Sequence, residues 1–262
     1  MHLPPILDNK YPSLPSVFTP AALLREARRQ KALPTSEVPS VCILDPDGDL
    51  VRHLRKAKSA KPFRDWPCYH TELDIFELGG HRVGIIGCVV GAPFATLVAE
   101  ELFTSGCKLL INLTSAGQII PTGQPPYFVI IDKALRDEGT SYHYAAPSDF
   151  AQAQPRLVAT ARTALAECGL SGIVGASWTT DAPFRETAQA IEAARRENIV
   201  AVEMEAAALY AFAQAKQRAV LCLAHVTNTM AQIEGDFEKG EADGARDALR
   251  VLSAIVRRLA PK

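Results

Sequence analysis

Residues 199–226 read IVAVEMEAAALYAFAQAKQRAVLCLAHV, and their pattern decides the fold. IVAVEM is a short apolar run, EAAALYAFAQAK is rich in strong helix formers, and AVLCLAHV is again apolar almost throughout. Strands without an exposed polar face read this way when helices cover the sheet on both sides. The alternation continues upstream. GIVGASW (172–178) is a strand, followed by a Thr-Thr-Asp loop and a helix over 184–196. A helix over about 152–168 precedes that strand, and a C-terminal helix over about 241–259 closes the chain.

Further toward the N-terminus, KLLINLT (108–114) is a buried strand that ends in the glycine turn SAGQI, and PYFVIID (126–132) is another strand. APFATLVAEELFTSG (92–106) is a helix with Pro93 in its first turn and Gly106 at its close. LDIFEL, Gly79-Gly80 and HRVGIIGCVV form a β-hairpin over 73–90. A short apolar run at 41–44 breaks into the acidic turn DPDGD (45–49), and LVRHLRKAK (50–58) is helical. Thr19 caps a first helix with Pro20 at its start, running to about Leu33 and stopped by Pro34. Residues 133–150 are rich in Tyr, His and Ser and read as an irregular functional loop. The expectation is a three-layer α/β/α sandwich with a mixed central sheet. It forms one domain over 1–262, in which 1–40 is a Pro-rich N-terminal extension with one helix.

Composition excludes several function classes. Lys plus Arg number 28 and Asp plus Glu 29, so the net charge of −1 lacks the cationic surplus that nucleic acid demands. A 48% hydrophobic and 22% charged chain is globular, not disordered. No window resembles a membrane span or a signal peptide, which points to a soluble, cytoplasmic protein with no membrane partner. The six cysteines are scattered without a CxxC pair and read as reduced core residues. The six histidines make no HxxxH, so no metal site is expected.

In folds of this kind, ligands gather where loops leave the carboxyl ends of strands. The sharpest feature there is Glu203-Met204-Glu205 at a strand-to-helix junction. Two carboxylates flanking a thioether are costly to bury unless something pairs with them. A sugar diol does so: a carboxylate accepts two hydroxyls at once while methionine packs the ring. The alternative is that Glu205 caps the helix and Glu203 faces solvent.

VEMEAAALYAFA closely resembles the signature of the nucleoside phosphorylase/nucleosidase superfamily. GAPFATLVAEEL (91–102), INLTSAGQI (111–119) and SWTTDAPFRET (177–187) resemble further segments of that family in the expected order. HVTNTMAQIEG (225–235) is most similar to its uridine phosphorylase side. The resemblance implies a nucleoside phosphorylase-like fold and a homo-oligomer, dimer or hexamer, with a small-molecule nucleoside as partner. It implies no cofactor, with phosphate as a possible co-substrate. It places Glu203, Met204, Glu205 and Ser115 at the ribose, and Gly117, Phe184, Arg185 and Asn228 at the base. Glu205 and Asn228 are the implied catalytic residues, and Ser115, Gly91 and Arg52 the candidates for phosphate.

The departures fall on phosphate. Where the family carries a Gly-Asp-Pro-x-Arg loop, this chain reads LDPDGD, and Asn112 stands at the position of a second arginine. Aspartates beside a dianion repel it, whereas arginine would bind it. The neutral amide of Asn228 cannot donate a full proton, which favours a pyrimidine or 6-oxopurine leaving group. Three functions stay open: phosphorolysis to free base and ribose 1-phosphate, hydrolysis by a nucleosidase, and nucleoside binding without catalysis.

Overall fold

The computed structural model describes residues 4–170, 172–230 and 234–261; residues 231–233, inside the HVTNTMAQIEG stretch, lie outside the described residues. The strands are β1 (Val41–Asp45), β2 (Ala60–Pro62), β3 (Asp74–Leu78), β4 (His81–Gly87), β5 (Leu109–Gln118), β6 (Tyr127–Asp137), β7 (Phe150–Gln152), β8 (Gly172–Thr180), β9 (Ile199–Glu203) and β10 (Ala219–Asn228). The helices are α1 (Pro20–Lys31), α2 (Asp49–Lys56), α3 (Ala92–Thr104), α4 (Pro155–Glu167), α5 (Ala188–Arg196), α6 (Ala206–Lys216) and α7 (Ala245–Leu259). No helix among the described residues is long and apolar enough to cross a membrane.

One mixed sheet carries all ten strands in the order β10-β6-β8-β9-β5-β1-β4-β3-β2, with β7 on β6. β10 also pairs with β5, so β5, β10, β6, β8 and β9 close into a ring. The expected hairpin is β3–β4, with Leu78 opposite His81. One face of the sheet buries residues of α2, α4 and α7, and the other buries residues of α3 and α6. α6 is buried from Ala206 to Ala213. A helix apolar all round belongs inside, and its alanines let it lie close to the strands. Tyr210 fixes it there, its hydroxyl donating to Ile131 O at 2.6 Å and accepting from Cys222 N at 3.0 Å.

Several sequence expectations need correction. The SAGQI stretch is no turn, because β5 continues through it to Gln118 and bonds to β9 at Gly117 and Gln118. Residues 133–150 are largely ordered: β6 reaches Asp137, and the buried Arg136 donates to Ser141 Oγ, Ala146 O and Ser148 Oγ. Those bonds hold the following segment in place. The helix expected from 184 begins at Ala188, because Thr187 caps it by accepting from Ala190 N. The first helix ends at Lys31, where Ala32 turns left-handed at φ 52°. The helices expected from 152 and 241 begin at Pro155 and Ala245. Four cysteines are buried, but Cys88 is exposed and Cys168 half-buried; all six are free.

Candidate active site

β9 ends in Glu203, and the chain turns at Met204 into α6. Both flanking carboxylates are buried, which removes the solvent-facing reading of Glu203. Glu203 Oε2 accepts from Glu205 N and Ala206 N, each at 2.7 Å. Its Oε1 accepts from the hydroxyls of Ser177 and Thr179. Glu203, not Glu205, therefore caps α6, and four donors saturate it at the positive end of the helix dipole. Burial pushes its pKa up and those bonds pull against the rise. The ribose contact expected of Glu203 is taken up by these internal partners.

Glu205 is different. It is 1% exposed, and its Oε1 accepts from Gly91 N at 2.7 Å. Its Oε2 is buried with no hydrogen-bond partner among the described residues. Burial, reinforced by the charge of Glu203, pushes Glu205 up to about 8; the Gly91 N–H and the Thr114 hydroxyl pull it back. β9 and β5 run antiparallel, with Val202 opposite Gly117 and Ala201 opposite Gln118. The hydroxyl that acts on Glu205 is that of Thr114, and its neighbour Ser115 shares a small cavity with it. Two residues back on the Thr114 face, Asn112 is fully buried, and neither of its amide atoms has a partner among the described residues. Met204 is half-buried.

Ser115 lines a cavity of about 30 Å³ with Asp45, Thr114, Thr227, His225 and Lys239. That is enough room for water to enter. Burial pushes Asp45 up to about 7, with the charges of Asp47 and Asp49 adding to the rise; Asp45 Oδ2 accepts from Val51 N at 3.0 Å. Lys239 Nζ bridges Asp47, at 3.2 Å, and Asp49. His225 stacks on Phe128 with centroids 4.5 Å apart, and burial, then the charge of Lys239, pushes it down to about 4.

Two of the residues expected at phosphate are committed elsewhere. Gly91 gives its N–H to Glu205. Arg52, with its side chain 61% exposed, donates to Asp49 and to Asp47 O. Of the residues expected at the base, Asn228 and Gly117 come together at the ends of β10 and β5. Asn228 Oδ1 accepts from Met230 N at 2.9 Å, and its Nδ2 reaches Thr227 Oγ1 at 3.3 Å. Phe184 and Arg185 lie on a short 3₁₀ turn, where both are exposed, Phe184 at 99%. Sequence reasoning missed Thr114, Lys239 and Met230. Lys239 and Asp49 are 190 residues apart in the chain, and no local pattern connects them.

Comparison with known proteins agrees with this fold. The DeoD-type purine nucleoside phosphorylase of Dichelobacter nodosus is 26% identical over 144 residues, 52% of this chain and 59% of the relative. That of Roseobacter denitrificans is 29% identical over 184 residues, 68% of this chain and 74% of the relative. The alignment with the first thus spans less than two thirds of that relative's length. Purine nucleoside phosphorylase from Toxoplasma gondii, solved with immucillin-H, superposes with a TM-score of 0.72 at 16% identity, over 86% of this chain and 92% of that one. The 5'-methylthioadenosine/S-adenosyl homocysteine nucleosidase of Campylobacter jejuni gives 0.70 at 16% identity, over 85% and 100%. Uridine phosphorylase from Vibrio fischeri gives 0.71 at 18% identity, over 87% and 97%. At these identities the structural likeness is one of fold. The sequence match to the phosphorylase superfamily runs over residues 40–259, and the chain belongs to that superfamily.

Proposed function

We propose that the protein cleaves the N-glycosidic bond of a nucleoside, with Glu205 holding the ribose hydroxyls and Met204 packing the sugar. The observation that carries this reading is the unpaired, buried Oε2 of Glu205 beside a Gly91 N–H that fixes the other oxygen. A carboxylate kept buried with free acceptor capacity is costly unless a ligand supplies donors. Ribose offers a pair of hydroxyls of the right kind. The transition state of glycosidic cleavage carries positive charge on the sugar, and an ionised Glu205 beneath it stabilises that charge. Sugar hydroxyls donating to Glu205 favour its ionised form.

Water is the nucleophile this geometry favours. Asp45, Asp47 and Asp49 line the cavity with Ser115, Arg52 is tied to Asp49, and the buried Asn112 brings no positive charge. The cavity of about 30 Å³ beside Asp45 has room for water. In this reading the water oxygen bonds to the anomeric carbon and Asp45, poised near 7, takes its proton. The glycosidic bond breaks and its electron pair leaves with the base. Asn228 offers an amide hydrogen bond to that base, which suits a pyrimidine or 6-oxopurine anion. Phosphorolysis remains the second reading, supported by the purine nucleoside phosphorylases among the relatives and by Lys239 at the same cavity.

Products of a nucleoside panel, analysed by mass spectrometry with and without phosphate, test the proposal. Free base and ribose without phosphate support hydrolysis, and ribose 1-phosphate supports the second reading. Binding without base release would remove catalysis altogether.

A further inference from the structure

α3 carries two buried polar side chains that the candidate active site does not use. Thr96 and Glu101 are 1% and 2% exposed. Neither the Thr96 hydroxyl nor either Glu101 carboxylate oxygen has a hydrogen-bond partner among the described residues. Glu101 is the one buried carboxylate among them with both oxygens left over. Glu203, buried as deeply, is saturated by four donors. Burial pushes the pKa of Glu101 up; the Cys68 thiol, a weak donor, and then the charges of His70 and Lys31 pull against the rise. Lys31 itself gives its ammonium to Pro67 O at 2.9 Å and Cys68 O at 2.6 Å.

Both side chains line one cavity of about 550 Å³, the size of a small-molecule pocket. Pro93, Thr96, Leu97, Glu100 and Glu101 recur at spacings of three and four, so one face of α3 contributes to it. The chain before α1 and the first turn of α1 add Phe18 and Leu23. Phe18 and Leu97 leave apolar surface open to solvent, at 72% and 39% exposure. The charge of the cavity is negative: Glu100, whose Oε1 accepts from the Tyr144 hydroxyl, and Glu101 stand against the single ammonium of Lys216. Apolar walls, an excess of carboxylate and unpaired buried acceptors together call for a cation that carries N–H donors on an apolar body. A bare metal ion does not fit, because no group of three or more His, Cys, Asp or Glu among the described residues could hold one.

We propose that this cavity is a second ligand site, which takes a primary organic amine whose ammonium donates to Glu101 and whose apolar body packs on Leu97, Leu23 and Phe18. The Thr96 hydroxyl accepts a further N–H of the same group. Pairing with an ammonium offsets the cost of holding an ionised Glu101 out of water. The site stands apart from the nucleoside reading. Glu205 meets α3 at its N-cap residue Gly91, and no residue lining this cavity lines the one beside Asp45.

Calorimetric titration at neutral pH with phenethylamine, phenethyl alcohol and phenylacetate tests this on wild type, Glu101→Gln, Thr96→Val, Leu97→Trp and Glu205→Gln. Wild type is expected to bind one amine with a Kd of about 1 mM or tighter, and the alcohol and the acid about tenfold weaker or worse. Glu101→Gln keeps the shape and removes the charge, so it weakens the amine about tenfold or more and leaves the alcohol unchanged. Thr96→Val weakens the amine about threefold. Leu97→Trp fills the cavity from a position 39% exposed and abolishes amine binding, which keeps the assignment testable should a Glu101 variant fold poorly. Glu205→Gln alters another buried carboxylate with an unpaired oxygen and leaves amine binding unchanged. Wild-type protein that binds the amine no better than the alcohol overturns the assignment, as does amine affinity that survives both Glu101→Gln and Leu97→Trp. Loss of amine binding in Glu205→Gln alone would move the amine to the candidate active site and overturn it equally.

Discussion

Replacing Glu205 by Gln separates what this residue does for function from what it does for stability. The carboxylate is buried, one oxygen is unpaired, and burial together with Glu203 raises it from the ordinary 4.5 to about 8. Each tenfold change in proton affinity corresponds to about 1.4 kcal/mol, so ionising this group in the unliganded fold forfeits on the order of 5 kcal/mol. The sign follows from the raised value. Below about pH 4.5 the group is protonated folded and unfolded, and the fold keeps the full advantage. As pH rises through about 8, the unfolded chain ionises freely, the folded one resists, and stability falls. Gln has no such titration and still accepts from Gly91 N through its carbonyl. Glu205→Gln should therefore match wild type in urea unfolding near pH 5 and exceed it at pH 8. Nucleoside binding or turnover should fall by about 2 kcal/mol or more, roughly 30-fold, because a charged acceptor of two hydroxyls becomes neutral. Undiminished turnover, or a variant that loses more stability at pH 8 than near pH 5, would refute the reasoning.

Asp45→Asn should slow base release about 100-fold or more. The wild-type rate should climb as pH rises through about 7 and the variant should lack that rise, as steady-state pH profiles will show. Glu203→Gln should cost about 2–3 kcal/mol in urea unfolding, since an amide group would be turned toward donors that now face carboxylate oxygens. Phosphate should bind the free protein with a Kd in the millimolar range or weaker, about −4 kcal/mol, given the aspartates around the cavity. Micromolar binding in a calorimetric titration would contradict that.

Much of the fold was legible because its strands and helices carry their own periodicity and caps. The β3–β4 hairpin, the run from β9 through α6 to β10, and Thr19 before Pro20 all depend on residues close in sequence. What sequence could not show depends on distant partners. Ring closure requires β10 to pair with β5 and β6 at once, which strand patterns do not encode. Gly117 reads as a turn residue, yet its constraint comes from Met230, far along the chain. Glu203 and Glu205 looked alike in spacing. Their roles separate because the chain turns at Met204, which directs Glu203 onto the helix N-terminus and leaves Glu205 facing Gly91. Thr187 is the kind of cap a sequence reading can find, and giving it weight would have placed α5 correctly.

The central claim is that Glu205 holds the ribose hydroxyls, and the affinity of a nucleoside against that of its 2',3'-dideoxy counterpart tests it most directly. The account predicts that wild-type protein binds the dideoxy compound about 30-fold or more weaker, and that Glu205→Gln binds the two with nearly equal affinity. Equal affinity for both compounds in wild-type protein would contradict it.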